Sequence, residues 1–190
     1  MLAFFLGVGL CAHALDELRG RPLRTRIPAR VLWGIAAVGL GGAVALGVLG
    51  AIEVSWWMLA FVAFGSFIVV AYNLELFGGG LHGDGWFALA WGAFPSLTGY
   101  FAQAGTLRLG AGLVAAACFG LSVAQRTLST PVRTLRRRSA EVSGRIVYRD
   151  GSVEPLDQAT LRAVPEAALR AIALALSLLA AGLVAGRLAA

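Results

Sequence analysis

The apolar residues of this chain lie in long blocks, and block length decides which solvent a chain is built for. Six such stretches fall at about 1–15, 31–52, 57–74, 86–102, 107–125 and 167–187. A helix that crosses a bilayer needs roughly 20 mostly apolar residues, somewhat fewer with flanking anchors. Five of the six are long enough; the first is short and is expected to be a truncated first span. Only 14% of the 190 residues are charged, against 58% hydrophobic. A water-facing globule carries about 25% charged residues, so a soluble enzyme, a disordered chain and a disulfide-rich secreted scaffold are all excluded. The expected fold is an all-α integral membrane protein, one polytopic helical bundle over 1–190.

The charges that remain are distributed unevenly. All 16 basic residues are arginine. Residues 16–30 hold Arg19, Arg21, Arg24, Arg26 and Arg30. Residues 126–166 hold Arg126, Arg133, Arg136, Arg137, Arg138, Arg145, Arg149 and Arg162. The loop near 53–56 has none, and the turn near 103–108 has only Arg108. With six crossings both arginine-rich loops fall on one side, which the positive-inside rule makes cytoplasmic. The +6 balance therefore reads as topology in a bacterial cytoplasmic membrane, not as a nucleic-acid interface. Cys11 and Cys118 lie inside apolar runs without metal-ligand spacing and read as small hydrophobes.

The loop 126–166 is the one sizeable polar piece. Alternation from Arg145 to Val153 around Asp150-Gly151 predicts a small hairpin. Asp157 reads as an N-cap for a helix from Gln158, which Pro165 is expected to interrupt.

Candidate chemistry gathers at the ends of the spans. His13, Asp16 and Glu17 fall within one helical turn, with His13 and Glu17 on one face. Adjacent carboxylates at a membrane surface can hold Mg²⁺ against substrate phosphates, so Asp16 and Glu17 are the expected metal ligands. Neighbouring arginines suit bidentate phosphate recognition. The alternative for this segment is a helix end leaving the membrane through charged residues. A second cluster follows Tyr72 and Asn73: Glu75, then His82 and Asp84 in a glycine-rich connector. No Walker A loop and no Gly-x-Ser-x-Gly elbow is present.

An acidic motif at a span end, Arg21-Pro22-Leu23, an Ile27-Pro28 start to a long span, Tyr72, and Ala90-Trp91-Gly92-Ala93-Phe94-Pro95 with Gly99 and Gly105 follow in order. In order and spacing, residues 10–125 resemble the UbiA-type intramembrane prenyltransferases. The resemblance implies a helical bundle whose cavity opens to the cytoplasmic leaflet. It also implies Asp-rich motifs binding Mg²⁺ and an isoprenoid diphosphate, and prenyl transfer to a lipophilic acceptor. Asp16 and Glu17 would hold the metal, while His13, Arg21, Arg24, Tyr72, Asn73 and Arg126 would contact the substrate. The chain departs from the pattern where the second Asp-rich motif belongs, since 125–133 carries no acid. Family members typically have nine spans, so a divergent or partial relative is expected.

Three functions follow as expectations. The first is a Mg²⁺-dependent prenyltransferase acting on an isoprenoid diphosphate within membrane lipid. The second is a non-catalytic scaffold or lipid-binding protein that kept the fold. The third is a metal-dependent membrane hydrolase using His13, Asp16, Glu17, Glu75, His82 and Asp84.

Overall fold

The computed structural model describes residues 1–188, and nearly all of its regular structure is helical. Two compact units divide the chain, Met1–Val123 and Ala124–Ala190.

The first unit opens with a helix that changes winding without breaking. An α-helical turn, α1 (Leu2–Phe4), passes into a π-helical stretch, Phe5–Ala12, and then into α2 (His13–Gly20). Phe5 and His13, at the two junctions, keep right-handed helical dihedrals. Arg21 adopts the left-handed conformation, φ 46°, and ends the helix. The apolar span ends near 15, but the helix runs on to Gly20 because Glu17, Leu18 and Arg19 are good helix formers.

Next comes α3 (Ala29–Glu53), which begins just after Pro28, a residue whose fixed φ suits a helix start. It is followed by α4 (Met58–Asn73). A single 3₁₀ turn, Phe77–Gly79, leads to a second composite helix: α5 (Asp84–Ala88), a π-helical stretch Leu89–Ala93, and α6 (Phe94–Ala104). Gly105, at φ 63°, caps α6 and donates its amide to Phe101 O.

The core of this unit joins the first helix to α3 and α4. Cys11, Ala12, Ala14, Leu15, Leu32, Ala36 and Val69 are buried together, with Trp91 packed against them. Small residues let the backbones approach closely. A Cβ on Gly39 would lie 2.7 Å from the Leu6 carbonyl oxygen, so only glycine fits where α3 crosses the π-helical stretch. Gly92 holds the same position against α7 (Leu109–Arg138), where a Cβ would lie 2.6 Å from the Cys118 carbonyl oxygen.

The second unit contains the end of α7, a two-stranded antiparallel hairpin and α8 (Gln158–Leu188). β1 (Arg145–Val147) pairs with β2 (Val153–Pro155) in the register Ile146 to Glu154. Gly151 supplies the positive φ of the turn, and Asp150 Oδ1 accepts from the Ser152 amide and hydroxyl. Asp157 Oδ1 caps α8 by accepting from Thr160 N at 2.8 Å.

Both long helices outrun their expected limits. The helix expected to stop near 125 continues through Pro131 to Arg138, its last turn carrying arginines that suit a helix C-terminus. The polar loop is therefore shorter than 126–166. Nor does Pro165 interrupt α8, which passes straight through it. Proline there removes the bond to the Leu161 carbonyl, and Leu161 is 42% exposed, so water can satisfy that oxygen.

Three helices among the described residues are long and apolar enough to cross a membrane: α3, α7 and α8, with mean hydropathies of 2.2, 1.3 and 2.1. α4 is shorter but apolar. The chain is thus an all-α protein with membrane-spanning character.

Candidate functional site: a polar helix end and an apolar cavity

The first unit encloses a cavity of about 290 Å³, at the low end of the roughly 300–1,000 Å³ typical of ligand pockets. Its walls come from the first helix, α3, α4 and the composite helix 84–104, and no charged side chain lines it. Phe4, Phe61, Trp91 and Phe94 supply most of the aromatic surface. Phe94 is the hub, 5.0 Å from Phe64, 6.1 Å from Phe61 and edge-on to Phe4 at 6.4 Å, ring centre to ring centre. Thr98, one of the two hydroxyl residues in the wall, donates its hydroxyl to Phe94 O instead of the cavity. A wider opening of about 680 Å³ shares Met1, Phe4, Val8, Trp91, Gly99 and Ala102 with it. Both π-helical stretches contribute walls, a placement typical of functional π-bulges.

An aromatic stack marks the end of the cavity near the C-terminus of α4. Trp91 lies 4.7 Å from Tyr72 and stacks on Phe87 at 5.5 Å. Tyr72 in turn faces the His82 ring at 4.4 Å. The His82 Nδ1–H donates to Tyr72 O at 2.9 Å, the tautomer that an accepting carbonyl requires, leaving Nε2 as an acceptor in the neutral ring.

Glu17 has a different setting from the one its motif suggests. Its side chain is buried, and the segment after α2 folds back onto it. Oε2 accepts from Leu23 N at 3.0 Å, and Oε1 accepts from Thr25 N at 2.7 Å and Thr25 Oγ1 at 2.8 Å. Arg21 fastens the same segment by donating Nη1 to Thr25 O and Ile27 O. Burial alone raises the Glu17 pKa. The Thr25 hydroxyl, the Leu23 and Thr25 amides and the Arg21 charge outweigh it and hold the carboxyl below the usual range. Glu17 is the latch of the 21–27 segment.

The remaining candidates are scattered around this latch. Asp16 is half-buried, one residue and about 100° around the helix from Glu17. His13 and Arg24 are exposed; Arg24 takes a left-handed conformation, φ 53°, in the turn closed by its own amide on Arg21 O. Asn73 is buried but spends its amide on Val69 O at 2.6 Å within its own helix. Glu75 pairs with Arg19 at 3.4 Å, tying the end of α2 to the end of α4. Arg126 belongs to α7 in the second unit and is half-buried there.

These positions test the donor set for a metal. Among the described residues no group of three or more His, Cys, Asp or Glu side chains converges as ligands would. Glu17 already accepts three hydrogen bonds, so the Asp16–Glu17 pair offers one uncommitted carboxylate where Mg²⁺ held against a diphosphate needs one or two, plus the phosphates. Asp16 is then the one free donor of the pair, at the lower limit of that requirement. Three of the six residues of the hydrolase reading are engaged separately: Glu17 in the latch, Glu75 with Arg19, His82 with Tyr72.

Sequence reasoning missed the Thr25 latch and the Phe61–Phe94 wall. Thr25 stands between two arginines with nothing to mark it, and the phenylalanines are lost among other apolar residues. Comparison with protein-family models, curated proteins and solved structures finds no match to this chain.

Proposed function

We propose that this chain is an integral membrane protein of UbiA-like bundle architecture that binds an isoprenoid diphosphate without Mg²⁺-dependent turnover. The observation that carries the reading is a cavity walled by Phe4, Phe61, Trp91 and Phe94 without a charged side chain, in the same helical unit as the polar end of α2; an amphiphile with a hydrocarbon tail and an anionic head needs both. In this reading the tail lies along Phe4, Phe61 and Phe94. Arg24 and His13, both exposed, face the head group. Arg21 keeps its guanidinium for the latch and acts on the head only through its charge.

The same reading counts six crossings. Support for it comes from the two composite helices, 2–20 and 84–104, each about 28–32 Å long at 1.5 Å per residue. Each is continuous through its π-helical winding, and the charged last turn of the first, 16–20, lies outside its apolar span of about 1–15. With α3, α4, α7 and α8 they make six, with the arginine-rich ends facing the cytoplasm.

Prenyl transfer is the second reading, and one observation favours it. Tyr72 and Trp91 present ring faces beside the cavity, and aromatic faces stabilise a cation such as an allylic carbocation. Purified full-length protein titrated with a long-chain prenyl diphosphate, with and without EDTA, separates the two. Binding that persists in EDTA, with no diphosphate released in Mg²⁺, is expected. Release of diphosphate that is lost in Asp16→Ala would overturn the first reading in favour of the second. No saturable binding under either condition would sink both.

A further inference from the structure

In the second unit the charged ends of two helices meet at a depth that α8 itself measures. Between Arg170 and Arg187, α8 is uncharged for 16 residues, 171–186, about 24 Å of helix. No residue of its apolar window is buried within the protein. That length matches a hydrocarbon layer of about 30 Å once terminal arginines snorkel outward. Arg170 therefore marks the edge of the hydrocarbon.

Glu166 lies one turn beyond Arg170, about 6 Å along the axis, and the headgroup layer is roughly 5–8 Å thick on each side. Glu166 Oε1 accepts from Arg136 Nη2 at 2.8 Å and from Arg162 Nη1 at 3.5 Å. Gln158 Nε2 donates to Ser139 O at 3.2 Å, so α7 and α8 run antiparallel here. The Arg136 bond brings the α7 cluster to the depth of Glu166. Arg133, Arg137 and Arg138 stand within one turn of Arg136, all exposed. Six arginines then share the headgroup layer with one glutamate. Glu166 pairs with two of them, while Arg133, Arg137, Arg138 and Arg170 form no ion pair among the described residues.

We propose that Arg133, Arg137, Arg138 and Arg170 form a binding surface for the phosphates of anionic phospholipids in the adjoining leaflet. The Arg136–Glu166–Arg162 bridge holds the two helices so that these four guanidiniums point at the headgroup layer together. Guanidinium groups suit phosphate because their paired N–H groups match two phosphate oxygens. The inference rests on α8 crossing the bilayer and on nothing in the isoprenoid reading.

The test uses full-length protein reconstituted in nanodiscs of phosphatidylcholine with or without phosphatidylglycerol, followed by native mass spectrometry of the lipids retained. The wild-type protein is expected to retain phosphatidylglycerol preferentially. Each arginine near an anionic surface contributes about fivefold, so R133Q/R137Q/R138Q is expected to lower that preference at least tenfold. R133K/R137K/R138K keeps the charge and is expected to restore most of it, which separates a lost surface from a misfolded one. Equal retention of the two lipids, or an unchanged triple glutamine variant, overturns the proposal. So does displacement of the lipid by millimolar inorganic phosphate, or tighter binding of an RNA oligomer than of the anionic disc. Extraction of the protein from membranes by carbonate would instead show that α8 does not span, a failure that leaves saturable prenyl diphosphate binding to be judged by its own assay.

Discussion

Glu17 shows how one carboxylate can serve a loop instead of a metal. Three donors converge on it, and two are backbone amides, groups that a folded chain must satisfy. Glu17→Gln replaces one acceptor oxygen with an NH₂ group that faces donors. The Leu23 and Thr25 amides are then expected to exchange with solvent faster by roughly tenfold, read by hydrogen-exchange mass spectrometry. Thr25→Val removes only the hydroxyl bond and is expected to have the smaller effect. The latch also responds to pH. The Glu17 pKa is depressed in the folded protein, so its contribution is fully present above the unfolded value of about 4.3 and is lost as pH falls through the lower folded value. Proteolysis at 21–27 should therefore be slow at neutral pH and accelerate only in acid; acceleration as pH rises from neutrality would contradict this. Phe94→Ala tests the other half of the site. Removing a phenylalanine from a packed core costs about 3–5 kcal/mol, and because Phe94 borders a cavity the lower end is expected by thermal denaturation, alongside weakened prenyl diphosphate binding.

Among the elements, helix contacts depend on what is missing at two glycines. Gly39 and Gly92 each face a backbone carbonyl that no neighbouring side chain can move aside. Gly39→Ala and Gly92→Ala should each lower stability by about 1–3 kcal/mol, the usual cost of overpacking. Gly34→Ala is the control: a Cβ there meets nothing within 4 Å, and removing a glycine from a helix interior is expected to be neutral or mildly stabilising. A fluorescence-detected thermal shift in detergent orders the three. The sequence made helix type and approximate position legible because apolar blocks of this length have one stable form in lipid. Helix ends were less legible. Pro165 looks like a stop and one apolar run ends near 125, yet α8 passes through Pro165 and α7 continues through Pro131. The π-helical stretches were not legible at all, since Phe5–Ala12 and Leu89–Ala93 contain nothing that ordinary α-helix lacks. The candidate site was half visible. Its acidic and aromatic residues stood out, but the hydrogen bonds that commit Glu17, Asn73 and His82 depend on folded neighbours.

For the whole molecule, the contrast is between a first unit that buries its helices against one another and an α8 whose apolar window has no buried residue. Such a helix is stable only where lipid, or another membrane helix, replaces water around it. Residues 171–186 are therefore expected to be protected from soluble proteases in intact vesicles and cleaved after detergent is added, whereas the 145–155 hairpin is accessible from one side of the membrane. Cleavage within 171–186 in sealed vesicles would rule out a spanning α8.

The winding of the first helix carries a consequence for mutations that change length. A π-helical turn holds more residues than an α-helical one, so the face on which Glu17 emerges depends on the winding of Phe5–Ala12. A deletion within Phe5–Ala12 is largely absorbed as the stretch rewinds to α-helix, whereas deleting Ala14 or Leu15 from α2, where the winding has no surplus residue to give up, turns everything downstream by about 100°. Glu17 then swings away from Thr25 while Phe4 and Val8 keep their places on the wall of the cavity. The helix behaves as a phase-setting screw between tail pocket and latch, and a one-residue deletion in α2 should release the 21–27 segment to proteases more completely than any single substitution within it.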